Sequence, residues 1–592
     1  MKSRTSFFNS TVLKKDITRF APVWGLYTLF LLVVFLTGNT NHYKEILVAN
    51  WIDMMRDMSI VNLVYAGLCA TMLFGDLFQS RMCSALHTMP LRREGWFFTH
   101  IVAGLLFCLV PNTVAALFQS VLLGQYFYVA PLWLAAAVGQ FLFFFGVAVF
   151  AVMCAGNRLG MAAVYGVING FSAMVYALVK GVFEPLMYGI ELLSDPFTFF
   201  CPVYHMSQER LLRFDYDYLE GQFTNGRIRE FYPEMWIYLV VVAAIGVVMA
   251  IFGLLLYRKR NLEKAGDFLA IRALEPVFVV ICSLAGGVFL YALSETFGFT
   301  INYMLMALGV VVGFFASQML IKRTVRVFRP KQLVGLLALA VVIAASLVLT
   351  KIDPLGITRY VPETEDIAFM RVYRDNDRGI YGNLQSDCYQ LEDAAQINTF
   401  RQVHAQLLQE DYEKTDGVSH VYIIYQLRNG VQIKRYYTID EHTAAYDTLR
   451  TYFSDYRYIF NVNSWQEVKD RFTSVEISLG EELYYPQESE ATEEWMGEDV
   501  KAIDVYNWTI TDPVKLDAFL EAVRKDCEAG NMAQPHTFHV GEDYAAWCYL
   551  GSNVLGERGK IISNGQYWRE ISVYTNAENV VQLLQQWFAE KQ

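Results

Sequence analysis

Between Phe20 and Leu349 the chain returns nine times to a long, almost uncharged apolar run. The runs are Phe20–Leu36, Ile60–Phe78, Phe97–Leu122, Leu132–Cys154, Leu159–Val182, Met235–Leu256, Pro276–Ala292, Tyr303–Ile321 and Leu333–Leu349. A helix needs roughly 20 apolar residues to cross a hydrocarbon layer about 30 Å thick. In lipid every backbone amide must find its partner within a helix or a closed barrel. These runs therefore predict a polytopic α-helical membrane protein of about nine spans. A basic segment precedes the first run, as in a signal peptide, but no small-residue cleavage site follows it, so the run reads as an anchor.

Charge divides the chain in two. Residues 1–351 hold 27 Lys and Arg against 19 Asp and Glu, whereas residues 352–592 hold 21 against 40, which together give the net charge of −11. Such asymmetry implies two environments. The connecting segments are asymmetric too. Those on the side of the N-terminus carry 19 Lys and Arg, among them Lys14, Lys15, Arg19, Arg81, Arg92, Arg93, Arg158, Arg258, Arg260, Arg323 and Arg326, while the alternate segments carry 6. Basic residues collect on the cytoplasmic side, which predicts a cytoplasmic N-terminus. Nine spans then place everything after Lys351 outside, in the cell membrane's outer space.

The acidic remainder reads as an α+β soluble domain over residues 351–592. His420–Ile439 is two strands around an Asn429-Gly430 turn. Apolar residues recur at helical spacing over Leu391–Glu410, and a second helix follows the hairpin. Ile510–Gly530 is a helix with Asp512 as N-cap and Pro513 at its first position, followed by strands near Tyr544–Gly551 and Trp568–Tyr574 and a helix over Asn576–Glu590. Asp393, Ile397 and Phe400 align with Asp512, Leu516 and Phe519, the pattern of an internal duplication of a helix–hairpin–helix unit. The join Tyr485–Val500 is an acidic surface loop; its carboxylates lack the regular spacing of a calcium loop. Nine cysteines form no CxxC pair and read as small buried residues rather than metal ligands. One disulfide among Cys388, Cys527 and Cys548 stays open.

Between the second and third spans lies Ser84–Gly95, "SALHTMPLRREG". Pro90 disfavours an unbroken helix there. Arg92 and Arg93 follow from the charge rule alone. Leu86, His87, Met89 and Leu91 either pack on the chain's own helix ends or dock a partner. Between the fifth and sixth spans, Gly181–Met206 is apolar and aromatic but broken by Pro185, Pro196 and Pro202, with Phe197, Phe199 and Phe200 among them. Broken apolar backbone at membrane depth must be buried against protein; the plainer alternative is an interfacial loop with aromatic anchors.

The short segment "NSTVLKKDITRF" before the first span, the six spans that follow, and the loop pattern Leu-x-x-Met-Pro-Leu-x-Arg together resemble the ABC-2 class of ABC-transporter permeases, over about residues 8–260. The resemblance implies a cytoplasmic elbow helix (1–19), a six-span permease core (20–257), and a loop that docks a separate ATP-hydrolysing subunit through Leu86, His87, Met89, Pro90, Leu91, Arg92 and Arg93. It also implies an extracellular cap at Pro185, Pro196, Phe197, Phe199, Phe200 and Pro202. The three further spans (258–350) and the outer domain resemble the longer permeases of Gram-positive bacteria. ATP and Mg would be held by the partner subunit and no cofactor by this chain. A second permease subunit, identical or paralogous, is implied, with outward transport by family analogy.

No GxxxxGK[ST] occurs; "GERGKI" at Gly556–Ile561 has the wrong spacing. HExxH and GxSxG are missing as well, so the chain is not expected to be an enzyme. No catalytic, metal or nucleic-acid site is expected. Within the spans Asp76 is the clearest ionisable residue: either it pairs locally with Arg81 or it links ATPase docking to span movement. Gln119, Gln140 and Asn169 read as contacts between helices, and Lys180 as a side chain that reaches back to the surface. The rival expectation is a sensor whose outer domain binds a peptide or antibiotic and signals without transport.

Overall fold

The computed structural model describes residues 8–37, 44–88, 92–190, 199–219, 222–260, 262–374, 389–408, 419–439, 444–479, 507–532, 544–555 and 561–591. The chain forms two compact units: Met1–Pro185 with Leu193–Leu349, and Leu186–Leu192 with Thr350–Gln592.

The first unit is helical. Its helices are α1 (Ser10–Arg19), α2 (Ala21–Thr37), α3 (Lys44–Leu73), α4 (Ser80–Thr88), α5 (Arg93–Leu123), α6 (Val129–Cys154), α7 (Arg158–Leu178), α8 (Pro202–Gln208), α9 (Pro233–Lys259), α10 (Glu275–Thr296), α11 (Asn302–Lys322) and α12 (Pro330–Ile352). Among the described residues seven helices are long and apolar enough to cross a membrane, or eight if α1 and α2, which meet at a 57° bend, count together. Two of the nine expected runs fall short of that measure. The first is the 17-residue α2. The second is the latter half of α3, whose first half carries Lys44, Glu45, Asp53, Arg56 and Asp57, and whose helix stops at Leu73 rather than Phe78.

Glycine sets the helix spacing. A Cβ on Gly146 of α6 would collide with the Gly246 carbonyl of α9, and one on Gly246 would reach Leu142 O and Phe143 Cα at 2.5 Å. Seven residues along, Gly139 lies under Leu239 and Gly253 under Phe150. Removing side chains at the crossing lets two backbones touch, the usual way for apolar helices to associate in lipid. The α10–α11 pair repeats the device with Gly286 and Gly287 against Gly309 and Gly313.

A polar layer crosses the same bundle. Tyr27 donates to Asn62 Oδ1 (3.1 Å), Asn62 to Gln140 Oε1 (2.9 Å), and Gln140 to Met55 O (2.9 Å). Gln140 therefore joins α6 to α3, as expected. Asn169 instead bonds Tyr165 O of its own helix, because its side chain reaches the preceding turn. Gln119 is buried without a hydrogen-bond partner among the described residues. Lys180 meets Glu184 at 3.4 Å.

Contacts sort the helix ends into two sets. At one end gather α1, the C-termini of α3, α6 and α9, and the N-termini of α5 and α7. At the opposite end Tyr126, beyond α5, donates to Glu45 of α3 (3.0 Å), and Arg210 meets Asp53 of α3 (3.2 Å). A hairpin, β1 (Leu212–Leu219) with β2 (Gln222–Phe231), lies there as well; Gly226 packs beside Phe214 and Tyr126. So α2 and α3, although shorter in apolar length, run between the same two ends as α5, α6, α7 and α9.

The second unit holds two antiparallel sheets. β3 (Ile367–Arg374), β4 (Ser419–Leu427) and β5 (Gln432–Ile439) pair in that order, and β6 (Ser474–Leu479), β7 (Asn507–Ile510), β8 (Tyr544–Leu555) and β9 (Ile561–Tyr574) in the order β7-β6-β8-β9. Helices α13 (Ala394–Leu407), α14 (Ala444–Phe453), α15 (Tyr456–Phe460), α16 (Trp465–Arg471), α17 (Pro513–Ala529) and α18 (Glu578–Lys591) accompany them. Gly430 closes the β4–β5 turn at φ 87°, where a side chain would be strained. Asp393 and Asp512 cap α13 and α17 through Gln396 N and Val514 N. Ile397, Phe400, Leu516 and Phe519 point into two separate cores. Both halves run helix, hairpin, helix. Cys527 and Cys548 are buried free thiols; Cys388 and the acidic join Tyr485–Val500 lie outside the described residues.

In the first of these cores His404 is fully buried between Tyr425 OH (2.8 Å from Nδ1) and Tyr437 OH (2.7 Å from Nε2). Burial first, and nearby Arg435 second, pull its pKa down from 6.5 to about 3. The unfolded chain takes this proton near pH 6.5, the folded chain only near 3, so stability is intact above about pH 6.5 and falls as pH drops, by up to about 1.4 kcal/mol per pH unit. Urea unfolding of the second unit in the full chain should show this loss between pH 6.5 and 5, and His404→Phe should flatten it. An unchanged slope in the variant contradicts the assignment. At the glycine crossing, Gly246→Val should cost about 1–3 kcal/mol through overpacking, read as a lower thermal midpoint in detergent. Gly166→Ala, with open space around it, should not lower it.

Candidate functional site

The end of the first unit that carries α1 and α4 is the most elaborately tied part of the bundle, and three devices build it. The first joins α1 to α5. Asn9 caps α1 through Thr11 N and Val12 N, and its own N–H donates to Thr99 Oγ1 (3.2 Å). Asp16, on the inward face of α1, puts Oδ2 2.7 Å from His100 Nδ1 of α5. Both side chains are buried. The His100 ring stands edge-on to Trp96 (4.1 Å) and Phe74 (5.3 Å).

The second device is a pair of arginines. Arg93, at the start of α5, donates to the carbonyls of Tyr257 (3.5 Å), Arg258 (3.3 Å) and Arg260 (3.4 Å), so it caps the C-terminus of α9. A cation at a helix C-terminus also complements the helix dipole. Arg260, just past α9, donates to Val152 O of α6 (3.0 Å) and Leu77 O (3.4 Å) in the turn before α4. Next to Arg93, Glu94 meets Arg258 at 3.1 Å. The third device is a backbone clasp. The Ala155–Asn157 turn between α6 and α7 pairs with 266–270: Ala155 bridges Leu269, Ala270 N donates to Cys154 O (2.8 Å) and Gly266 N to Gly156 O (2.7 Å). Gly156 and Gly160 leave no room for a Cβ against this segment.

On this platform sits α4, nine residues long. It buries Cys83 and exposes Arg81, Met82, Ser84 and Thr88. Burial pushes the Cys83 thiol up, against the pull of Arg260 and Arg93. Of the loop residues singled out above, Leu86 and His87 lie on the α4 backbone, and Met89, Pro90 and Leu91 fall outside the described residues. Arg92 is exposed at the N-cap of α5. Arg93 is spent on α9 and is not a free surface charge. Asp76 lies in the short turn Gly75–Phe78 and faces Arg19 of α1 at 3.6 Å. That corrects the expected partner, Arg81. The turn breaks α3 at Leu73, so Asp76 and Arg81 no longer share a helix.

At the opposite end, Pro185 lies in the helical turn Glu184–Leu186, and Pro202 opens α8. Phe199 and Phe200 are exposed; Phe199 O accepts from Tyr238 (2.9 Å), and its ring stacks edge-on with Tyr238 (4.8 Å). Pro196 and Phe197 lie outside the described residues. Leu186–Leu192, expected within the permease core, belongs instead to the second unit, since Ile190 pairs with Arg435 there.

Sequence reasoning missed the Asp16–His100 pair. Its signal was present: a histidine inside the apolar run "WFFTHIVAGLLF" is costly in lipid and needs a partner. Arg260 was counted only as a surface charge. Among the described residues no three His, Cys, Asp or Glu side chains converge as a metal site would require. No known protein family, curated protein or solved structure matches the chain.

Removing one partner of a buried polar contact leaves the other unsatisfied at a cost of about 1–3 kcal/mol, whereas an exposed ion pair contributes about 0–1 kcal/mol. Asp16→Ala should therefore lower the thermal midpoint of the detergent-solubilised chain well below that of Asp76→Ala. Equal midpoints would contradict the role given to the Asp16–His100 contact.

Proposed function

We propose that the chain is the permease subunit of an ABC transporter of the ABC-2 kind, driven by a separate ATP-hydrolysing subunit that docks on α4 and the following loop to Arg92. The observation that carries this reading is α4 itself. A short helix with an exposed Met82 and Arg81 stands between two bundle helices, on a platform fixed by Arg93 and Arg260. A loop that merely turned the chain would not need two arginines to hold its surroundings. An amphipathic α1 that meets α2 at a bend and is tied to α5 fits the elbow helix of such permeases. Two such subunits, alike or paralogous, would form the working unit, and cargo would move outward.

The N-terminus and α4 face the cytoplasm in this reading, and the second unit, an α+β domain of two similar halves, lies outside. The basic-residue count chooses the outside, and the two pieces of the second unit are compatible with it. Leu186–Leu192 and Thr350–Gln592 belong to one unit and must share a side, and the four apolar helices α9 to α12 between them make an even number of crossings. In intact cells an impermeant thiol reagent should label Val431→Cys and leave Arg326→Cys unlabelled until the membrane is opened. The reverse pattern inverts the topology.

The motor is tested by purifying the complex from its native host. Wild type should bring down a subunit with a Walker motif, and Leu86→Asp with Leu91→Asp should lose it while remaining folded. If folded wild type brings down no ATPase, the permease reading fails and the sensor reading replaces it.

A further inference from the structure

The ten residues 322–331, between α11 and α12, hold five cations, Lys322, Arg323, Arg326, Arg329 and Lys331, and no Asp or Glu occurs between Glu295 and Asp353. All five are exposed, and among the described residues none of them meets a carboxylate. The preceding connection, 258–275, also carries five cations but uses them differently. There Arg258 meets Glu94, Lys264 meets Asp267, and Arg260 bonds two backbone carbonyls. A preference for cations on one side of a membrane accounts for both counts. It does not explain why one set is tied into the fold and the other is left bare.

The later loop is shaped as well as charged. Val327 N donates to Val325 O (3.0 Å) and Arg329 N to Val327 O (2.9 Å), two consecutive three-residue turns. Val327 is fully buried and pins the loop, while Val325 and Phe328 are turned outward, 74% and 66% exposed. Phe328 rests against Phe315 of α11, with ring centres 4.6 Å apart. Gly309 packs on Gly286, and Gly313 on Cys282 O, so α11 runs antiparallel to α10 and ends beside the start of α10. The next apolar helix, α12, begins at Pro330 and buries none of its residues. The loop therefore joins two apolar helices at the level where hydrocarbon gives way to headgroups.

In water alone, an exposed valine and phenylalanine among five cations would be a cost. At the membrane boundary apolar side chains reach acyl chains while cations reach phosphates. Lys322 and Arg323 lie at the C-terminal end of α11, where the helix dipole already favours a cation. Arg326 and Arg329 have no such use. Lys331 lies in the first turn of α12, where the dipole disfavours a cation unless an anion joins it.

We propose that Arg326, Arg329 and Lys331 bind the phosphate headgroups of anionic lipid, with Val325 and Phe328 seated among the acyl chains. The occupant is lipid rather than a soluble acidic protein, because two outward apolar side chains and the ends of two apolar helices share the site. Such binding gives α12 a tether at its start that packing within the chain does not supply. The inference needs α11 and α12 to cross a membrane; it does not rest on the permease reading.

The test uses the full-length chain in detergent with no ATPase present, so its outcome is separate from that of the permease reading. Phosphatidylglycerol and phosphatidylcholine are titrated in turn, and bound lipids are counted by native mass spectrometry. Wild type should hold at least one phosphatidylglycerol more tightly than any phosphatidylcholine. Arg326→Gln with Arg329→Gln and Lys331→Gln should weaken that lipid by about fivefold for each charge removed. If this triple variant does not fold, Arg326→Gln alone should show the single step. Lys259→Gln with Lys264→Gln and Arg272→Gln, which takes the same charge from the other connection, should leave the affinity unchanged. Equal affinity of wild type for the two lipids, or equal losses in the two triple variants, overturns the proposal. In phosphatidylglycerol nanodiscs, a fluorophore on Val325→Cys, with the wild-type background subtracted, should be quenched by bromine on the acyl chains. A soluble acidic protein as the true occupant would leave it unquenched, which overturns the lipid seat.

Discussion

Where Gly146 of α6 meets Gly246 of α9, backbone packs directly on backbone. Lipid tails are as apolar as leucine, so helices in a bilayer gain nothing from simply hiding apolar side chains from one another; close packing and polar contacts must hold them. Much of the tied end of the bundle follows from this crossing. It brings the C-terminus of α9 beside that of α6, within reach of Arg260's bond to Val152 O. It also presents the last carbonyls of α9 to Arg93. With α6, α9 and α5 fixed there, the turn before α4 has a platform to rest on through Leu77 O.

The polar interior answers the same constraint. An unpaired amide in hydrocarbon costs several kcal/mol, and Asn62 and Gln140 escape that cost by bonding each other, Tyr27 and a backbone carbonyl. The Asp16–His100 contact does the same for two ionisable groups at the bundle's end. Buried polar pairs of this kind fix which helices are neighbours, because the wrong neighbour would leave both partners bare. In the second unit His404 plays that part between two tyrosines.

Length and apolarity made α5 to α7 and α9 to α12 legible in the sequence, since hydrocarbon thickness dictates both. Turn and cap chemistry made the Asn429-Gly430 hairpin and the Asp393 and Asp512 caps legible, since each is a local rule. Long-range pairing was not legible. Asp16 lies 84 residues from His100, and Gly189 lies 247 from Tyr436; no local pattern records such partners. The end of α3 was misplaced because Leu77 and Phe78 are apolar, and only the turn at Gly75 takes them off the helix. The hairpin β1–β2 was missed because its strands, rich in Arg and Asp, lack the apolar alternation that marks a half-buried strand.

The proposal that a motor protein acts on the bundle at α4 is tested most directly at Met82. Met82 is exposed on that helix and takes no part in the contacts that hold the platform, so a photoreactive side chain placed there probes the surface without disturbing its support. Irradiated in native membranes, it should crosslink to a chain that carries an ATP-binding Walker motif, and ATP analogues should change the yield. Crosslinks confined to lipid, or to other copies of this chain, would contradict the account.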